Sequence, residues 1–83
     1  MSHSDEVRAY CVRTYVEPAR AAGRAEISIR AGEVHEALNF QNRFPLVCSA
    51  LGARIFEQQA RVRRLSVEGP LNGASTVFRF EVL

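Results

Sequence analysis

The chain contains no lysine: all 11 of its basic residues are arginine. Arginine carries a flat, forked donor that suits phosphates and guanine edges, which keeps a nucleic-acid partner in view. Coding bias in a GC-rich genome explains the same skew without any function. Set against 9 acidic residues, the arginines leave a formal net charge of only +2, so no basic tail or extreme field singles out nucleic acid. Long apolar runs are also missing, as is a charged leader followed by an apolar segment. Membrane spanning and secretion are therefore not expected, and the cytoplasm is the expected compartment. Cysteine is limited to Cys11 and Cys48, with no C-x-x-C pair, and two buried reduced thiols are expected rather than a disulfide. The 83 residues suffice for one domain, 1–83, with a modest core. They cannot enclose a large interior cavity, which weighs against a buried small-molecule site. No internal repeat, low-complexity tract or linker is present.

The catalytic inventory is equally short. His3 lies near a terminus, and His35 stands beside Glu33 and Glu36 on what reads as an exposed helix face. Asn39 prevents "HEALN" from completing H-E-x-x-H, and Cys11, Cys48 and His35 lack zinc-site spacing. "NGAS" reads as a turn rather than a phosphate loop. The expectation is a protein that is not an enzyme and holds no metal or cofactor.

What is there is a clear change of hydrophobic period along the chain. Ser4 is positioned to cap a helix over about 4–16, with Val7, Tyr10, Cys11, Thr14 and Tyr15 forming its apolar stripe. Pro18 should end or bend that helix, and Gly23 is a natural stop. "AEISIR" alternates Ile27 and Ile29 with polar neighbours and predicts a strand over 25–30. A short helix over 31–38 turns Val34, Ala37 and Leu38 inward. Asn42 then caps a helix over about 42–59, whose inward face is Phe44, Val47, Cys48, Leu51 and Ile55. Beyond it the period drops to two. Strands around 62–68 and 76–83 flank "GPLNGAS", a loop with Gly-Pro and Asn-Gly turn signals, and so form a hairpin over 62–83.

This order, carried chiefly by "RAGEVHEALNFQNRFPLVCSALGARIF" at residues 30 to 56, resembles the winged helix-turn-helix family over nearly the whole chain. The resemblance implies an α+β fold of order α-β-α-α-β-β, with three helices. It also implies a three-stranded antiparallel sheet of 25–30, 62–68 and 76–83, the last two forming the wing. The phrases "YVEPAR", "IRAGEVHEAL" and "NRFPLVCSAL" also look like a group of small prokaryotic domains linked to mobile-element or defence genes.

On that architecture the helix from Asn42 is the one that meets a partner. Its outward arc holds Asn42, Leu46, Ser49, Ala50 and Ala53, with Arg43 and Arg54 at the edge. Small residues allow close approach to a major groove, while Arg43, Ser49 and Arg54 can read or hold it. Gln41 and Asn42 stand where phosphate would meet free backbone amides. Arg64 and Asn72 are the wing's candidates, although the loop from Gly69 to Ser75 carries no cation for a minor groove. The expected partner is double-stranded DNA, bound by a small transcriptional regulator or a mobile-element or defence factor. The expected state is a homodimer through the first helix, with Tyr10 and Tyr15 and, partly around it, Val12 and Val16. A protein-interaction module docking through Leu46 and the wing, either a complex subunit or a phage-type inhibitor, is the alternative.

Overall fold

A computed structural model describes residues 2–83. Helix α1, His3–Cys11, runs through a π segment, Val12–Val16, into α2, Glu17–Ala21. Strand β1, Glu26–Arg30, leads into α3, Ala31–Ala37, followed by α4, Phe44–Gly52, and α5, Arg54–Ala60. Strands β2, Val62–Glu68, and β3, Val77–Val82, close the chain. The result is a small α+β domain, with helices packed on one face of a three-stranded antiparallel sheet of order β1-β3-β2.

The helix start differs from expectation by two residues. Ser2, not Ser4, is the N-cap. Its Oγ accepts the Asp5 amide at 3.2 Å while Asp5 Oδ2 accepts the Ser2 amide at 3.3 Å. The reciprocal pair satisfies two amides that no helical turn can. These bonds hold the Asp5 carboxyl below its usual range. Pro18 does not end the helix. A proline inside a helix removes an amide and collides with the carbonyl four residues back. Here the preceding turn widens instead, and the Glu17 amide donates to Val12, five residues away. The widened turn shifts the helix phase. Val7, Cys11 and Val16 are fully buried, Tyr15 is half-buried, and Thr14, expected on the apolar stripe, faces solvent. Tyr10, Val12 and Tyr15 pack partly buried against the domain's own core. Gly23, at φ +72°, ends α2: its amide donates to Arg20 and the Arg24 amide to Ala19, which satisfies the last carbonyls.

The single helix expected over 42–59 is two helices. Ala53 takes an extended conformation (φ −78°, ψ 143°), so α4 stops at Gly52 and α5 begins with a new phase. Phe56 and Ala60 therefore enter the core, and Ile55, expected inside, is 53% exposed. Asn42 caps nothing. It sits in the left-handed region at φ 54°, as Asn39 does at φ 59°, and together they reverse the chain between α3 and α4. Asparagine tolerates that conformation better than other side chains. His35, expected outward, is buried under this turn. Its Nε2 accepts the Arg43 amide at 3.1 Å, and its ring stacks on Phe44 at 4.0 Å between centroids. The helix start is thus capped by an imidazole from the preceding helix.

The sheet turns Ile27, Ile29, Phe78, Phe80 and Val62 into the core beneath the helices. β1 pairs with β3 without irregularity, whereas β2 carries a bulge between Arg64 and Ser66. The hairpin loop is closed by buried Thr76, whose Oγ1 accepts the Gly73 amide at 3.0 Å and donates to the Pro70 carbonyl. Gly69 makes that closure possible. It lies at φ +92°, where a Cβ would fall 2.8 Å from the Ser75 carbonyl oxygen. No helix among the described residues is long and apolar enough to cross a membrane.

Candidate nucleic-acid interface

Helix α4 is hydrophobic on most of its surface, and this narrows what it offers a partner. Val47, Cys48, Ala50 and Leu51 are buried, so Ala50 belongs to the core rather than to the outward arc. Leu46, also expected outward, is only partly exposed and packs against the core. Of the apolar residues expected on the outward arc, Ala50 is buried and Leu46 and Ala53 are only partly exposed. What α4 leaves exposed along its length is Pro45 and Ser49. Gln41, Asn42 and Arg43 are exposed in the turn before it, and Arg54 is exposed just after it.

The arginines divide into two sets. Helix carboxyl ends carry unsatisfied carbonyls and partial negative charge, which cations complete. Arg8 Nε donates to the Ala50 carbonyl at 3.3 Å and Arg64 Nη1 to that of Gly52 at 3.1 Å, both at the end of α4. Arg20 Nη2 reaches the Ala60 and Arg61 carbonyls at 2.9 and 3.1 Å, at the end of α5. Arg63 pairs with Glu81 at 2.8 Å, and Arg79 with Glu26 at 2.5 Å. Arg64, expected as a wing contact, is therefore a cap for α4, and its amide donates to Glu57 Oε2 at 3.0 Å. Arg43 and Arg54 belong to the second set. Among the described residues, neither takes part in an ion pair.

No Asp or Glu occurs between Ala37 and Phe56, so α4 and its flanks form an acid-free stretch bounded by Glu36 and Glu57. Within it Arg43 immediately precedes α4 and Arg54 opens α5.

Beside α4 lies an open groove of about 590 Å³, walled by the hairpin. It brings together three of the expected contact residues, Ser49, Arg64 and Asn72, the last at φ 55° in the loop. Gln41, Asn42, Arg43, Leu46 and Arg54 do not line it. The rest of the groove is largely apolar, with Pro45, Val67 and Phe78 on its walls and Leu71 at the rim, 86% exposed. Its one cation is Arg64, already committed to Gly52.

Cys11 and Cys48 are buried free thiols. Burial pushes the Cys11 thiol up to about 12 and raises Cys48 as well, the opposite of what a nucleophile requires. No protein-family model, curated protein or solved structure matches this chain.

Proposed function

We propose that the chain is a winged-helix domain that binds double-stranded DNA, chiefly by holding phosphates with Arg43 and Arg54 on either side of Ser49. The element order and the sheet order β1-β3-β2 support that architecture, with α4 in the partner-facing position. The observation that carries the DNA reading is the acid-free stretch around α4, flanked by two exposed arginines outside any ion pair. Gln41 and Asn42 add polar groups at the same end. Because α4 exposes little beyond Pro45 and Ser49, base edges are read sparsely, and affinity depends little on sequence. A small regulator or a mobile-element or defence factor is the setting this fits.

The test is fluorescence anisotropy on a random-sequence duplex across a salt series. Two phosphates neutralised give a slope of about −2 in log K against log salt. Arg43→Ala and Arg54→Ala each weaken binding and each reduce that slope by about 1. Absence of binding at low salt, or unchanged slopes in both variants, overturns the reading.

One observation favours a second reading, a protein-interaction module. Val67 and Leu71 are exposed on a groove with no uncommitted cation, as an apolar partner segment would require. On that reading Leu71→Glu abolishes partner binding, whereas DNA affinity is insensitive to it.

A further inference from the structure

The two edges of the sheet are not alike. In β3 the amides alternate between neighbours, and two bonds set the phase: Val82 donates to the Ala25 carbonyl at 2.8 Å and Ala31 to that of Thr76 at 2.9 Å. With the observed register, Ile27 and Ile29 also face β3, so the amides of Glu26, Ser28 and Arg30 point away from the sheet. At the other edge, β2 is protected. Its outward Arg64 amide is taken by Glu57, and the bulge at Arg64–Ser66 breaks the regular spacing a new strand would need. β1 has neither device. It carries no proline and no bulge, and among the described residues no side chain or backbone group accepts from its outward amides.

We infer that the free edge of β1 is a self-association surface, on which a second copy of this chain pairs antiparallel about Ser28. The sequence Glu26-Ile27-Ser28-Ile29-Arg30 is complementary to itself in that register. Ser28 meets Ser28, and Glu26 of each copy stands opposite Arg30 of the other. An edge guarded against pairing places like charges opposite each other; this one places unlike charges. About four backbone hydrogen bonds form across the two-fold axis, two at Ser28 and two from Arg30 amides to Glu26 carbonyls. Glu26 already holds Arg79 at 2.5 Å and Arg30 lies 4.0 Å from Glu33, so the pairing extends an existing charge ladder. Beside the edge, a cleft of about 290 Å³ is lined by Thr14, Pro18 and Ala22, which leaves room for the second strand's flank. The product is a continuous six-stranded sheet, with β2 and the α4 groove outermost in each copy. The surface is independent of what α4 binds. A strand this short gives a weak dimer, with Kd in the micromolar range.

Sedimentation velocity from low micromolar to near-millimolar protein tests this. A reversible monomer–dimer equilibrium is expected. Ser28→Pro removes an outward amide that β3 does not use, and should raise Kd by about tenfold or more with the circular dichroism of the parent. Arg30→Glu alone should weaken the dimer similarly, and the paired reversal Glu26→Arg with Arg30→Glu should restore it. If Ser28→Pro fails to fold, the charge pair decides. A monomer at every concentration overturns the inference. So does a dimer that none of the variants changes, or one that the paired reversal leaves as weak as the single.

Discussion

At the scale of single residues, His35 shows how one side chain can be misplaced by pattern and still be central. Between Glu33 and Glu36 it reads as part of a charged face. In the fold, its Nε2 takes the Arg43 amide and its ring covers Phe44. His35→Leu keeps the apolar volume but leaves the amide without an acceptor, so a loss of about 1–3 kcal/mol is expected from urea denaturation. A change within error would show that water replaces the imidazole freely. Asn39 and Asn42 carry the same lesson. Asparagine before an apolar run serves equally as a helix cap or as a left-handed hinge, and only the path of the chain separates the two. Arg43 and Arg54 are legible as candidates from their place beside an apolar helical run, and the acid-free stretch around them is a property of composition that no motif marks.

At the scale of elements, the helices were legible and their interruptions were not. The apolar spacing of Phe44, Val47, Cys48 and Leu51 identifies α4, and three of those four are buried. Extending the same spacing to Ile55 fails because Ala53 leaves the helical region and resets the phase. Gly52 marks the weak point, since glycine destabilises a helix interior by about 1 kcal/mol relative to alanine. The Arg8 and Arg64 side chains then satisfy the carbonyls that the break exposes. Substitution tests the phase directly. Phe56→Ala should cost about 3–5 kcal/mol, and Ile55→Ala no more than about 0.5 kcal/mol. A continuous helix would reverse that order in the same denaturation experiment. The π segment is a parallel case, in which Pro18 redirects a helix without ending it and exchanges Thr14 for Val16 in the core.

At the scale of the whole molecule, β3 organises the sheet because it alone has neighbours on both sides. Native-state hydrogen exchange should therefore find the amides of Phe78, Arg79 and Phe80 most protected, since opening them breaks the sheet. The Ser28 amide should exchange rapidly in dilute protein and slow as concentration rises. Rapid exchange at every concentration would leave β1 unpaired. The same view explains why a net charge of +2 says little about partners. Arg8, Arg20 and Arg64 are spent on helix ends and Arg63 and Arg79 on carboxylates across the sheet, whereas Arg43 and Arg54 lie in a stretch without acids.

The amino-acid sequence by itself determined the α+β order, the three strands, the inward residues of β1 and the position of α4, because hydrophobic period and turn residues act locally. Tertiary structure alone decided the break at Ala53, the burial of His35 and Ala50, and the commitment of Arg64 to Gly52. Those outcomes depend on which carbonyls, amides and apolar faces meet across the fold, and residues distant in sequence supply the partners.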